Sequence, residues 1–499
     1  LSTNGSRLFE VGPDAEKGIL MSVALINSAS KPVLWVSYQN NSTSRSVYAQ
    51  DFYALPLAKF AEGGNGTVEN PYKIATVGDL EQMRTYPNAH FVLTNDIVAD
   101  GVEFLPISAE FKGSLDGKGH KVTGLSVNGP GIFNDLNQGA VIKNINFVGA
   151  RILSVSGSNA GLLASKASGT TISNVHIYGL DVPATDADFT FGGIIGLGSL
   201  GTTIDGCSVN SSTISLPNAS AVGGIAGELR TGSKINGCAV KASITAESEL
   251  GGIVGNIGGD NSILDCHTDI ILSAGSVVGG IVGYNGGSPV ARCYVEGSIK
   301  ATGSKGSYYD NGPCAGGIVG SLKSSLTTSD TSGESETLKD PVIYNNFVNL
   351  TSLEGYTPAI APTHSEQQKT LHRIAGRTQV NEEPNIIDYD ANYEPIYGEP
   401  YAADARLINN YCISALEPVQ DDIAAAANTT EGESVEASEL SANWFGSKLG
   451  LEYGDGKHWN ELAEADPALQ HEGGNFCSPA ALSVTKGDFF DIHVVFVGS

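Results

Sequence analysis

The chain reads as an all-β, right-handed parallel β-helix, and three observations predict it. The first is a Gly-Gly-aliphatic-aliphatic-Gly element. It recurs as Gly192-Gly193-Ile194-Ile195-Gly196, Gly223-Gly224-Ile225-Ala226-Gly227, Gly251-Gly252-Ile253-Val254-Gly255, Gly279-Gly280-Ile281-Val282-Gly283 and Gly316-Gly317-Ile318-Val319-Gly320. Weaker copies stand at Gly131-Ile132-Phe133 and Ala160-Gly161-Leu162-Leu163-Ala164. The glycines at 131, 161, 193, 224, 252, 280 and 317 are separated by 30, 32, 31, 28, 28 and 37 residues. Repetition at this period is the mark of a solenoid.

The second observation is a landmark that moves with the first. Ile145, Val175, Cys207, Cys238, Cys266 and Cys293 each follow their glycine by 13 or 14 residues. The third is composition. The repeats are rich in Gly, Ser, Thr, Asn, Val and Ile, with short alternations such as Ile204-x-x-Cys207-x-Val209. Such residues favour pleated strands, with Gly and Asn at the corners between them. Glycine this dense would weaken a helix by about 1 kcal/mol per residue. Coils of about 30 residues leave room for roughly three strands each, stacked as parallel strands about 4.8 Å apart.

Taken in order, residues 1–60 precede the repeats and read as a small N-terminal β segment. Its strands are Val33–Tyr38 and Ser46–Ala49, and Ile19–Ile26 is apolar but too short to span a bilayer. The chain begins at Leu1 and not at Met, as a processed form would. At the start of the solenoid, Thr76 and Asp79 form a capping-box pattern, with Leu80 and Met83 at helical spacing. A short helix there would cover the first coil, whose open strand edge otherwise invites pairing with other chains. The solenoid proper occupies 61–418, with insertions at about 321–345 and 351–405. Beyond the first insertion, Phe347 in Asn345-Asn346-Phe347 reads as the next inward landmark. Residues 419–499 form a C-terminal closing region, ending in a final strand over 487–497.

The Gly-Gly-Ile-Val-Gly repeats resemble the GLUG motif of β-helical bacterial surface proteins. That family includes adhesins and the non-catalytic regions of IgA-cleaving metallopeptidases. The resemblance extends upstream through Gly63-Gly64-Asn65-Gly66-Thr67, Asp79-Leu80-Glu81 and Phe111-Lys112-Gly113-Ser114-Leu115-Asp116-Gly117. Downstream it takes in Arg373-Ile374-Ala375-Gly376-Arg377, Asn409-Asn410-Tyr411 and Leu449-Gly450…Trp459. It implies an exported, cell-surface, adhesin-like protein of a bacterium that binds a host or environmental glycan or surface protein. A fold hosts many functions, so the activity must be argued from a site.

Acidic residues outnumber basic ones by 54 to 28, for a formal net charge of −26. That argues against nucleic acid and an anionic membrane surface as direct partners, since both require a basic face. It is compatible with Ca²⁺, but no site is identifiable, so no cofactor and no metal ligand is assigned. Seven cysteines are present, four in one repeat row. Side chains in such a row point the same way, which reads as buried free thiols and leaves a disulfide among Cys314, Cys412 and Cys477 open.

Catalysis finds little footing. His471-Glu472 opens a His-Glu-x-x-His pattern, but the second His is missing and Gly473-Gly474 would break the helix. Glycan cleavage requires paired carboxyl groups. Asp205 and Asp265 fall near one repeat phase, two coils apart, and Asp388, Asp390 and Tyr393 form a denser group. Acidic residues at solenoid corners are ordinarily solvated turn formers. The expectation is therefore a non-enzyme, with a carbohydrate-active β-helix (lyase or glycosidase) or a non-binding stalk as alternatives. The candidate binding residues are Tyr389, Tyr393, Tyr397 and Tyr401 in the second insertion, where a large rigid ring with a polar tip could stack on sugar or peptide. Packing of the insertion onto the solenoid is the plainer account of the same residues.

Overall fold

The computed structural model describes residues 19–28, 31–39, 55–56, 60, 62–155, 157–183, 188–303, 313–323, 343–355, 371–379, 386–389, 395–397, 407–417, 425–453, 457–460 and 468–469. Its backbone is a stack of parallel coils, the parallel β-helix that the repeats predict. The coil of residues 249–274 shows the plan. A short strand, Glu249–Gly251, leads through the Gly-Gly-Ile-Val-Gly turn into Val254–Ile257. A corner follows, then Ser262–Leu264 and His267–Ala274, separated by one kink. Three parallel faces result. The first stacks seven short strands from Asn159–Ala160 to Leu371–His372, and the second stacks eight from Phe133–Leu136 to Ala375–Gln379. The third is the long bent face on either side of the kink.

Register is kept by aliphatic side chains that stack on their own kind. Ile142, Ile172, Ile204, Ile235, Ile263, Val290, Ile343 and Leu407 pair in sequence from coil to coil. All are buried in one continuous core. A slip by one residue would turn this row outward, so the burial fixes the pairing.

The second glycine of each repeat is required by closeness rather than by dihedral angle. A Cβ on Gly193, Gly224, Gly252 or Gly280 would meet the carbonyl oxygen of the glycine one coil on at 2.2, 2.4, 2.1 and 2.0 Å. That contact is far inside van der Waals range, so only glycine lets neighbouring coils approach. In the last coil the equivalent pair is His372-Arg373, in register with Gly316-Gly317. Here the crossing chain is the segment around Thr430 and Glu431, which leaves room for side chains.

The kink of the long face is a single left-handed residue in each coil: Asn144, Asn174, Gly206, Gly237, Asp265, Arg292, Asn345 and Asn409, all with φ between 52° and 60°. Asparagine, aspartate and glycine tolerate this region best. The residue after it points inward, as the sequence predicts for Ile145 through Cys293. Cys207, Cys238, Cys266, Cys293, Cys314 and Cys412 are buried free thiols, and Cys477 lies outside the described residues. The thiols in the row also hydrogen-bond: the backbone N–H of Cys207 donates to Cys238 Sγ at 3.4 Å, and Cys238 Sγ donates to the Asn236 carbonyl at 3.4 Å.

One landmark shifts. Phe347 pairs with Tyr294, so the inward position after Cys293 is Asn346, and then Asn410. Asn346 Oδ1 accepts from the Cys293 N–H at 2.9 Å, and its Nδ2 donates to the Val290 carbonyl at 3.0 Å. Phe347 faces outward into a second, aromatic cluster.

Both ends of the stack are covered. At the first, helix α1 (Val77–Gln82) carries the capping box: the Thr76 side chain accepts from Asp79 N–H and Asp79 accepts from the Thr76 backbone. Leu80 and Met83 are buried in the core. At the other end, Arg373 is fully buried against Glu431, donating to the carbonyls of Glu431, Leu416 and Gly432 at 2.9, 2.8 and 3.0 Å. His372 Nδ1 lies 2.7 Å from Glu431 Oε1. Removing one partner from so enclosed a charge pair costs about 3–5 kcal/mol.

The N-terminal strands are Ile19–Ser28 and Lys31–Gln39, an antiparallel pair. Val33–Tyr38 lies in the second of them, Ile19–Ile26 is strand, and Ser46–Ala49 lies outside the described residues. So do the first insertion between 324 and 342 and the final strand expected at 487–497. Among described residues no helix is long and apolar enough to cross a membrane.

Candidate functional site

The row of residues immediately after the inward one faces out from the crease of the bent face. It reads Asn146, His176, Ser208, Ala239, His267, Tyr294, Phe347, Tyr411, polar at one end and aromatic at the other. The aromatic end is covered by helix α2 (Ala442–Leu449), which begins at the Ser441 cap and stops at Gly450 in the left-handed region. Phe445 meets Tyr294 and Phe347 edge-on, with ring centroids 5.7 and 5.4 Å apart, and Trp444 meets Tyr411 at 5.1 Å. Edge-to-face pairs of this kind add about 0.5–1.5 kcal/mol each beyond the area they bury.

Beyond α2 the chain continues along the crease and makes a polar cleft of about 410 Å³ with the coils. It is lined by Asp265, Arg292, Gly450, Glu452, Lys457, His458 and Trp459. Asp265 and Arg292 occupy the left-handed kink in adjacent coils, which aims both side chains outward over the crease. Arg292 Nε and Nη2 donate to the two oxygens of Asp265 at 2.8 and 2.6 Å, a bidentate pair. Trp459, almost fully buried, donates its indole N–H to Asp265 Oδ1 at 3.1 Å. The hydrogen bond to Asp265 raises the guanidinium pKa further. Glu452 pairs with Lys457; that hydrogen bond and the lysine charge hold its carboxyl below the usual range. At the far edge His458 sits on Gly237 and contacts Asn236 and Asp205.

A second polar group lies beside the cleft on the same face. Glu296 accepts from Tyr294 Oη at 3.1 Å and from Asn349 Nδ2 at 3.2 Å, and lies 3.2 Å from His267 Nε2. Burial pushes the Glu296 carboxyl up, but the hydrogen bonds and charge of His267, with Tyr294 and Asn349, outweigh it and leave its pKa lowered.

Of the residues singled out from sequence, Asp265 lines the cleft and Asp205 stands at its edge, while the tyrosines of the second insertion are described only in part. Tyr389 lies in strand Ile386–Tyr389, which pairs antiparallel with Pro395–Tyr397. The side chains of Tyr389 and Tyr397, and Tyr393 and Tyr401 altogether, lie outside the described residues. Asp205 and Asp265 do not share a phase. Asp205 pairs with Asn236, and Asn236 with Leu264, so Asp265 comes one residue later, on the kink. The sequence did carry a signal for the cleft: the kink precedes the cysteine landmark, and charged residues stand there only at Asp265 and Arg292. Contact with Trp459, 194 residues away, has no such signal.

Fold and site together define a parallel β-helix with a polar cleft closed by its own C-terminal segment. No protein-family model matches the chain. It is 32% identical to halomucin of Haloquadratum walsbyi over 174 residues, 30% of this chain and 2% of halomucin. It is 29% identical to a Gly-rich membrane protein of Evansella cellulosilytica over 126 residues, 20% of this chain and 15% of that protein. Among solved structures, an IgA1 protease aligns with a TM-score of 0.42 and 14% identity, covering 94% of this chain and 29% of that one. The chain thus spans a small fraction of the curated relatives it matches.

Proposed function

We propose that this chain is an extracellular, surface-displayed β-solenoid that binds a glycan or a protein at its outer crease and does no chemistry on it. The observation that carries the reading is that each carboxylate lining the cleft is tied to a permanent cation, Asp265 to Arg292 and Glu452 to Lys457. A glycosidase needs one carboxyl group that keeps its proton and a second free to act as base or nucleophile. Carboxylates already engaged by Arg and Lys are not free for either role, while guanidinium, ammonium and imidazole groups around an open polar cleft suit recognition of hydroxyls and amides. The GLUG-like repeats and the partial matches to halomucin and a Gly-rich membrane protein support display at a cell surface.

The test is a glycan-array and host-matrix binding screen of the purified chain, with product analysis of every ligand retained. Saturable binding of intact ligand, weakened about tenfold or more by Lys457→Ala or Arg292→Ala, is expected for a hot-spot contact. Cleaved ligand would replace this reading with a carbohydrate-active enzyme. Silence on both counts would leave a stalk.

A further inference from the structure

At the edge of the cleft, three polar groups converge that the Arg292 and Lys457 ion pairs do not use. They are Asp205 Oδ1, the side-chain amide of Asn236 and His458 Nε2. Asn236 Nδ2 lies 3.1 Å from Asp205 Oδ1 and 2.7 Å from His458 Nε2, and His458 Nε2 lies 3.7 Å from Asp205 Oδ1. The amide oxygen of Asn236, meanwhile, is buried without a hydrogen-bond partner. Without a cation the neighbours fix the amide as described, because Asp205 Oδ1 accepts from Nδ2; a bound cation would draw the amide through a half-turn that exchanges its oxygen and nitrogen. The oxygen then takes the place of Nδ2, and a carboxylate, an amide oxygen and an imidazole nitrogen face one point.

We propose that Asp205, Asn236 and His458 form a binding site for a divalent first-row transition cation, with Zn²⁺ as its representative. The triangle of donors has the right size. The circle through the three atoms has a radius of about 1.9 Å, so a cation at the roughly 2.1 Å bond length of zinc to N and O sits just off their plane. One nitrogen and two oxygens suit a borderline cation, whereas Ca²⁺ takes six to eight oxygens. Among described residues no three His, Cys, Asp or Glu side chains group as metal ligands; the third donor here is an amide.

The seat for the imidazole is built into the coil. Gly237 takes the kink position with φ +58°, and a Cβ there would lie 2.1 Å from His458 Nδ1. Five of the other kink positions are Asn, Asp or Arg through the stack from 144 to 345, and any of these at 237 would displace the ring. The Asp205 and His458 side chains are 45% and 29% exposed, so the remaining coordination positions open to solvent and to a ligand in the cleft.

Calorimetric titration of zinc chloride into the chelator-stripped full chain tests this directly, with calcium chloride in parallel. One saturable Zn²⁺ site is expected, with no competition from Ca²⁺. Asp205→Asn and His458→Gln each weaken it by about tenfold or more, and Asn236→Asp, which supplies a second charged oxygen, strengthens it. Thermal melting without metal keeps the outcomes separable, because His458 also docks the C-terminal segment. Asp205→Asn leaves the apo melt unchanged, and its loss of zinc affinity then counts alone. Cobalt absorption free of a thiolate band distinguishes this site from the cysteines. Absence of saturable binding, or affinity unchanged in Asp205→Asn, would overturn the proposal.

Discussion

Cys238 and Asn346 perform one task with different atoms. Each accepts the N–H of the inward residue one coil back, and each reaches a carbonyl of that coil or its own. Asn346→Ala leaves those buried groups unpaired and should lower stability by about 1–3 kcal/mol in urea denaturation. Asn346→Cys, which restores a sulfur as acceptor and donor, should lose less. Here the inward position lies one residue before the one the sequence pattern predicts. An aromatic ring beside two asparagines looks like the buried side chain, yet the asparagines bury themselves by hydrogen bonding and the ring finds a partner outside. Charge at single residues gives a pH signature as well. Burial, with Glu228 adding repulsion, raises the Glu249 pKa despite a hydrogen bond from Asn256. A raised folded pKa means the penalty appears as pH rises through the glutamate range. Glu249→Gln should therefore raise the thermal midpoint at pH 7, with the gain vanishing at acid pH. Glu296 works in the opposite sense. Its lowered folded pKa contributes stability above the ordinary glutamate range that is lost as pH falls through the folded value. His267→Ala should flatten that acid limb of a stability-versus-pH profile.

At the scale of the element, the glycine turn is the unit that specifies the stack. A methyl on Gly252 would lie 2.1 Å from the Gly280 carbonyl oxygen, while one on Gly258 meets nothing closer than 3.7 Å. Gly252→Ala should cost more than about 3 kcal/mol and Gly258→Ala no more than about 0.5 kcal/mol, read from denaturation midpoints. These turns were legible because closeness leaves a residue no alternative, and each copy repeats the same demand. The N-terminal cap was legible for a related reason: Thr76, Asp79, Leu80 and Met83 lie within eight residues and need nothing distant. The other cap shows itself only in hindsight, where Gly-Gly gives way to His372-Arg373. Its partner Glu431 lies 58 residues beyond Arg373, and Glu431→Gln should destabilise that end by about 3–5 kcal/mol.

In the whole molecule, repetition makes the coils readable and the return of the C-terminal segment makes the cleft unreadable. The outward row turns from Ser208 and Ala239 to Tyr294, Phe347 and Tyr411, which marks where a cover is needed but not which segment supplies it. Phe445, Leu449 and Trp459 supply it, and they carry Lys457 and His458 into place. The described coils thus form a single continuous stack whose crease is closed by its own C-terminal segment. Amide hydrogen exchange, resolved along the chain, tests it most directly. Strong protection of the glycine-turn amides is expected through the coils, since Gly252, Gly280 and Gly317 each donate to the next turn at 3.0–3.2 Å. Protection of Phe445 and Leu451 is expected as well, lost together with that of the aromatic row in Phe347→Ala. Fast exchange at the glycine turns, or protection of the C-terminal segment untouched by that substitution, would contradict it.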